Sequence, residues 1–371
     1  MLFRSHANRD YRQAYPSYGF DHLEISDEPG VYEDAYRAWV RRQSPEALDH
    51  ISVGLPPARK VWRDLMGEDD GVNHPSGRAR DDLKGAIPFK ADANLTHSAF
   101  VAQRTIEYLR QQDRRQPFLC IAGFYSPHAP WVVPQQFLDL YDRESLSLPN
   151  YPPEIDAQRP TAPSQKFSDA QLRSAKHGYY AMISEVDYHI GRILQTLDEC
   201  GLSDDTIIVF TSDHGEWLGD HLRFAKGYPG DDSTRRVAII FKVPQAPTQC
   251  TVSHLVGAVD ILPTLLDLIG VQIPPHLQGH SIAPLLLGRE YAPRDAVLTE
   301  GNGWKALRTA TYRYLLHADG HEMLWDLAAD PGEYHDIAAD TAYSSILVDC
   351  RHRMLTYLLT IERPLPRTFP Y

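Results

Sequence analysis

Several things the sequence lacks narrow what it can be. Its 4 cysteines, Cys120, Cys200, Cys250 and Cys350, are spread over 371 residues without a C-x-x-C pair. A cysteine-built zinc site is thereby excluded, and a dense disulfide framework is not expected. Cys120 and Cys200 sit in apolar or helical patterns and read as buried small hydrophobes. No apolar run approaches the ~20 residues of a membrane-spanning helix. The start, Met1-Leu2-Phe3-Arg4-Ser5-His6, turns polar at once, with no signal-peptide core. These two absences predict a cytoplasmic chain without a membrane partner. Positive charge is in deficit: 37 Lys and Arg face 49 Asp and Glu, a formal net charge of -12. That is the wrong sign for gripping a phosphate backbone, so no nucleic-acid partner is expected. H-E-x-x-H, G-x-S-x-G and the P-loop are also absent, and Gly301-Asn302-Gly303 lacks the third glycine of a dinucleotide fingerprint.

What is present reads as a folded α/β chain. Hydrophobic residues make up 43% and charged residues 23%, the balance of a globular protein and not of a disordered one. Residues 1–90 carry little periodic signal beyond a short helix near Arg37 to Arg42. A helix is expected within Asn94 to Gln112, where Phe100, Val101, Ile106 and Leu109 recur at helical spacing. A longer one runs from about Asp169 to Cys200, with Met182, Val186, Ile190, Ile193, Leu194 and Leu197 on one stripe and Gly201 as its C-terminal cap. Buried strands are predicted at Phe118 to Phe124, Thr206 to Thr211 and Val237 to Val243. Helices alternating with buried strands predict a mostly parallel sheet flanked by helices, over residues 1–290. From 291 to 371 the pattern changes to short strands at 296–299, 304–308, 312–316 and 322–326 and a terminal helix near 343–361. This predicts a small C-terminal antiparallel α+β subdomain.

Ligands of such sheets bind where strands end, and the two chemically rich segments begin there. Asp213 and His214 follow the second strand in Ser212-Asp213-His214-Gly215-Glu216, and a carboxylate beside an imidazole can ligate a divalent cation. Taken alone, such a pair is more often an ordinary loop. Lys226 could bind an ester oxygen as a point charge, although an isolated lysine is usually a surface one. His128, between Pro127 and Pro130, could donate to the same anion or protonate a leaving oxygen, or simply hold its loop.

The order and spacing of these segments carry a resemblance. Tyr179-Tyr180-Ala181 through Asp187 and Gly191-Arg192-Ile193-Leu194, Thr211-Ser212-Asp213-His214-Gly215-Glu216, Leu218-Gly219-Asp220-His221 and Lys226-Gly227 resemble the second half of the type I sulfatase signature. Ser126-Pro127-His128-Ala129-Pro130 is similar to that family's earlier histidine loop. Val259-Asp260-Ile261-Leu262-Pro263 with Gly279-His280-Ser281, and Leu324-Trp325-Asp326-Leu327 with Asp330-Pro331 and Glu333, look like its later segments; Tyr18-Gly19-Phe20-Asp21 matches more loosely. The resemblance implies an alkaline phosphatase-like fold and metal-dependent hydrolysis of small anionic sulfate esters. It implies Asp213 and His214 as metal ligands, and Lys226 and His128 as contacts to the ester. The implied cation is Ca²⁺, with Mg²⁺ or Mn²⁺ as alternatives. His221 matches a recurrent position without an assigned role.

The same resemblance identifies what the sequence does not contain. No Cys or Ser is followed by x-Pro-x-Arg, so the precursor of the family's formylglycine nucleophile is absent, as is the strand ending in two Asp ligands. Met1-Leu2-Phe3 is similar to the end of the Gly-Lys-x-His segment that follows them. The expectation is a chain that begins after the catalytic N-terminal portion and is inactive alone. It would bind metal weakly and tend to pair, with a homo-oligomer or an N-terminal complementing chain as partner. Two other readings remain: a phosphonate monoester or phosphodiester hydrolase of the same superfamily, and a non-catalytic remnant.

Overall fold

The computed structural model describes residues 19–27, 29–31, 33–53, 85–159, 167–227, 231–244, 246–247 and 251–361. Met1 to Phe3, Tyr18, Cys250 and part of the proline-rich stretch near 160 lie outside the described residues. The chain divides into two compact units, Met1–Asp204 and Asp205–Tyr371. Among the described residues, no helix is long and apolar enough to cross a membrane.

In the first unit, helix α1 (Ala35–Gln43) starts at Asp34, whose side chain accepts from the Arg37 amide at 3.0 Å. Helix α2 (His97–Arg110) starts at Thr96, whose hydroxyl accepts from Ala99 N at 3.1 Å. Both caps satisfy amides that the first helical turn leaves orphaned. Tyr36, Trp39, Val40, Ile51, Leu95 and Phe100 form the core between these helices. Helix α3 (Asp169–Glu199) opens with a capping box between Ser168 and Gln171 and is followed by Gly201 at φ +63°, where L side chains are disfavoured. It lies close to a short parallel pairing of β1 (Ile87–Pro88) with β2 (Val132–Val133). Gly178 makes this possible, because a Cβ there would fall 2.6 Å from the Trp131 Cβ.

Two expectations for this unit are corrected. Phe118 to Phe124 forms no ladder among the described residues; Leu119 is 63% and Ile121 70% exposed, and Cys120 is exposed too. An apolar run becomes a buried strand only when neighbours pair its backbone, and no described segment does so here. The buried face of α3 also differs from the apolar stripe. It is Leu172, Ala175, Gly178, Ala181, Met182, Glu185, His189, Thr196 and Leu197, whereas Leu194 is exposed.

Buried charge makes this unit sensitive to pH. Burial pushes the Asp34 carboxyl up to about 7, against hydrogen bonds from Arg37, Ser26 and Asp27. A carboxyl raised on folding contributes most below its unfolded value near 4, and that contribution is lost as pH rises through 7. Asp34→Asn keeps an amide oxygen at the cap and removes the titration. We expect the variant to match wild type near pH 4 and to gain roughly 2–4 kcal/mol over it by pH 8. Urea unfolding at the two pH values checks this, and a difference that does not grow with pH would refute it.

In the second unit, β3 (Ile208–Thr211) pairs with β4 (Ile239–Lys242) in antiparallel register, Ile208 opposite Lys242 and Thr211 opposite Ile239. The sequence specified no partner or direction for either strand; the ladder they form is antiparallel. Phe210 and Ile240 are opposite one another, 41% and 60% exposed. Helix α4 (Ile261–Leu268) follows Asp260, a fully buried carboxylate that accepts from Gly257 N and His280 N at 2.8 Å each and from Arg294 at 2.5 Å. The C-terminal part is an antiparallel meander of β5 (Val297–Gly301), β6 (Trp304–Arg308), β7 (Tyr312–His317) and β8 (Glu322–Asp326), as expected. Helix α5 (Ser344–Ile361) lays Cys350 and Met354 on Ala296, Leu307, Tyr314 and Leu324. The architecture is α/β with a C-terminal antiparallel sheet.

Candidate functional site

The segment from Asp213 to Gly227 leaves β3 as a tight, irregular loop. Gly215 sets its course: its amide donates to Thr234 O at 2.8 Å, and a Cβ there would stand 1.9 Å from Ser233 O. Only glycine allows two backbones to approach so closely. Beyond it Leu218, Gly219, His221, Leu222, Ala225 and Gly227 all have positive φ, a conformation non-glycine residues adopt only when surroundings impose it. Those surroundings are visible. Trp217 N donates to Ala225 O at 3.1 Å and Gly219 N to Arg223 O at 2.8 Å. The Glu216 carboxylate accepts from Leu218 N at 3.2 Å and from Ala225 N. Burial pushes the Glu216 carboxyl up, opposed by those amides and by nearby His214 and Lys226.

Within this loop, three of the four singled-out side chains meet. Asp213 Oδ1 accepts from His214 N at 2.9 Å, and its Oδ2 lies 3.7 Å from His214 Nε2. His214 Nδ1 is 2.6 Å from Gly215 O, an atom that can only accept, so the ring proton belongs on Nδ1. Nε2 then presents a lone pair, and Lys226 Nζ donates to it at 2.5 Å. A neutral imidazole protonated on Nδ1 is the form that binds metal through Nε2, the atom Lys226 must release for a cation to take its place. The pair therefore fits a divalent cation as part of a ligand set. It does not make a whole one, since no group of three or more His, Cys, Asp or Glu converges among the described residues.

His128 belongs to the first unit, in a turn where its amide donates to Tyr125 O at 3.1 Å. The Tyr125 hydroxyl donates to Ala129 O at 2.6 Å, and His128 Nδ1 lies 2.6 Å from the same oxygen. This carbonyl fixes the ring proton on Nδ1 as well.

His221 has a structural setting that the sequence left unassigned. Its Nε2 lies 2.9 Å from both Asp231 Oδ2 and Gly332 O, and the ring stacks on Tyr334 with centroids 4.4 Å apart. Burial pushes the Asp231 carboxyl up, but hydrogen bonds from His221 and Ser233 outweigh it and hold the group below its usual value. Asp232 pairs with Arg308 through two bonds of 3.0 and 2.9 Å, and Glu333 accepts from Asp232 N at 3.0 Å while pairing with Arg313. The segment 231–235, against which Gly215 rests, is thus fastened to the C-terminal sheet. Asp231 and Asp232 were missed from sequence; adjacent acids before a short turn are the one signal they offered, and it is a weak one.

The sequence profile described as Sulfatase matches residues 5–271, and the one described as N-sulphoglucosamine sulphohydrolase, C-terminal, matches residues 219–358. A sulfatase of Formosa agariphila is 30% identical over 306 residues, 78% of this chain and 59% of its own length. The multifunctional alkaline phosphatase superfamily protein PehA of Trinickia caryophylli is 26% identical over 324 residues, 74% of this chain and 61% of its own length. The chain thus spans about three fifths of these relatives. The crystal structure of the phosphonate monoester hydrolase of Agrobacterium radiobacter superposes with a TM-score of 0.73 at 25% identity, covering 89% of this chain and 70% of that one. The matched fold is the alkaline phosphatase-like α/β fold expected from the sequence. A profile match running from ahead of the histidine loop, through Asp213, His214 and Lys226, to the end of α4 makes this protein a member of the sulfatase family.

Proposed function

We propose that this chain supplies the later half of a sulfate-ester hydrolase site. Asp213 and His214 act as two ligands of a divalent cation, Ca²⁺ in preference to Mg²⁺ or Mn²⁺. Lys226 contacts the anionic group of a small ester; for His128, in the first unit, a contact to an ester is what the sequence resemblance implies. Sulfatases generally use a divalent metal and a formylglycine; when bound, the metal supplies charge to stabilise the developing anion. The observation that carries the reading is the Lys226–His214 contact at 2.5 Å beside Asp213. It places an ammonium and two potential ligands on one strand end, where an ester oxygen would sit close to both charges.

Two ligand side chains are too few for tight binding of a hard cation, which takes six to eight oxygen ligands when it is Ca²⁺. Isothermal titration of the purified chain with CaCl₂, MgCl₂ and MnCl₂ is expected to give dissociation constants of about 10⁻³ M or weaker, and Asp213→Ala to remove even that. A sub-micromolar affinity would overturn the two-ligand assignment. We further propose that the site is completed by a polypeptide carrying C/S-x-P-x-R and an Asp pair; a second copy of the chain, the other partner considered, would cover exposed surface without supplying that motif. Aryl sulfate turnover should be absent with the chain alone and should appear on adding such a polypeptide. A complemented sample inactive on every ester would count against the enzyme reading and favour a non-catalytic role.

The likeness to a phosphonate monoester hydrolase favours a second reading, hydrolysis of phosphonate monoesters or phosphodiesters by the same residues. Parallel assays on an aryl sulfate and an aryl phosphonate ester separate the two.

A further inference from the structure

Lys226 stands 12 residues beyond His214 in the chain, yet its ammonium donates to His214 Nε2 at 2.5 Å. Lys226 is exposed, and a flexible side chain with little packing around it points where its backbone sends it. That backbone is set at Ala225, whose φ of +66° is a left-handed conformation that alanine rarely adopts unless held. Two bonds hold it. The Ala225 amide donates to Glu216 Oε1, and the Ala225 carbonyl accepts from Trp217 N at 3.1 Å. These atoms belong to the peptide planes on either side of the Ala225 Cα, and the second plane contains the Cα of Lys226. Because peptide units are planar, fixing both planes fixes both dihedrals between them. The same Glu216 oxygen accepts from Leu218 N at 3.2 Å, so one atom ties the outgoing limb of the loop to the returning one.

We propose that Glu216 is a positioning residue for Lys226: by holding the Ala225 amide it aims the ammonium at the strand end that carries Asp213 and His214.

The two bonds at Ala225 are not interchangeable. The donor at 217 is a backbone amide, which any residue but proline supplies, whereas the acceptor is a side chain of one length. Ala225 is exposed and Leu218 buried. With the carboxylate gone, water can take the Ala225 amide, and the strain at its φ is free to relax to negative values. The Cα of Lys226 then swings away, and the ammonium leaves the strand end. When a cation takes Nε2, Lys226 loses its bond to His214, and the Ala225 clasp is what keeps the ammonium beside the ester. The amides need an oxygen and not a charge, so Glu216→Gln should preserve the clasp, while Glu216→Asp ends a methylene short of it.

The inference rests on the reading of Lys226 and His214 under the proposed function, and its test tells the two apart without turnover. The full chain is labelled with ¹⁵N in its histidine rings and studied at about pH 8.5, above the ordinary imidazole range and below that of lysine. The His214 and His317 signals are identified by their loss in His214→Gln and His317→Gln. Lys226→Met should move the His214 Nε2 resonance downfield, as an acceptor nitrogen moves when it loses its donor. Glu216→Ala and Glu216→Asp should each give most of that shift, and Glu216→Gln should stay with wild type. Glu216→Ala combined with Lys226→Met should move no further than Lys226→Met alone. His317, on β7, should keep its wild-type signals throughout, and Glu216→Asp decides where Glu216→Ala does not fold. A resonance that Lys226→Met moves but Glu216→Asp and Glu216→Ala leave in place would overturn the proposal while the Lys226–His214 reading stands. So would a Glu216→Gln protein shifted like Glu216→Ala, or a His317 signal displaced in Glu216→Asp. No shift in Lys226→Met would remove the contact itself, and with it both the proposal and the reading it carries.

Discussion

Replacing Arg313 with methionine is expected to destabilise the second unit by about 3–5 kcal/mol at neutral pH, because it strands a buried carboxylate. Arg313 and Glu333 are 2% and 0% exposed and paired, with the Arg313 guanidinium stacked 3.9 Å from the Trp325 ring centroid. Burial pushes the guanidinium down and the carboxyl up, so each charge is held at a desolvation cost that its partner offsets. Methionine keeps much of the contact with Trp325 and removes only the charge. Protonation of Glu333 relieves the loss, which should therefore shrink as pH falls toward 4. Adding Glu333→Gln should recover most of it at pH 7, since a neutral pair no longer needs the compensation. Denaturation followed by tryptophan fluorescence measures all three proteins. A single-variant loss below about 1 kcal/mol would mean that Glu333 reaches water when Arg313 is gone.

Alanine at two glycines should have effects of opposite sign. At Gly215 the added Cβ meets Ser233 O at 1.9 Å, backbone against backbone, so one of the two segments must move. We expect a loss of about 1–3 kcal/mol, the usual penalty for forcing atoms into filled space. His214 should move with it, because its Nδ1 is tied to Gly215 O. At Gly191, on α3, the Cβ meets nothing within 4 Å. There alanine should add about 0.5–1 kcal/mol by restoring helix propensity and reducing the freedom of the unfolded chain. Thermal unfolding of the two variants side by side decides the matter: a Gly215→Ala protein as stable as wild type would show that the loop can retreat from residues 231–235.

The parts of the fold legible in the sequence were those fixed by local rules. The ends of α2, α3 and α5 and the four strands of the meander fall within a few residues of where periodicity and capping put them. The segment 118–124 was misread because a strand depends on what lies beside it, and an apolar run does not specify its neighbours. The direction of the β3–β4 pairing is lost for the same reason. The inward face of α3 was mislocated because Glu185 and His189 are buried there, and a hydrophobic pattern passes over buried polar groups. At the candidate site, the resemblance to the sulfatase signature pointed to Asp213, His214 and Lys226, which the structure brings together. The supporting set of Glu216, Asp231 and Glu333 was invisible as a set, since these residues meet only through loop geometry and the C-terminal sheet.

The charges that fasten the sheet also limit how this protein can be recombined. Asp231, Asp232 and Arg235 lie on one side of a crossover at 290/291, and Arg308, Arg313 and Glu333 on the other. Cut there, the first piece carries one surplus negative charge in this cluster and the second one surplus positive charge. A chimera that takes its C-terminal sheet from a relative with a different count inherits an uncompensated buried ion beside the loop of Asp213 and His214. Exchange of this sheet between relatives is therefore a coupled event, in which residues of the 231–235 turn must travel with the strands they face.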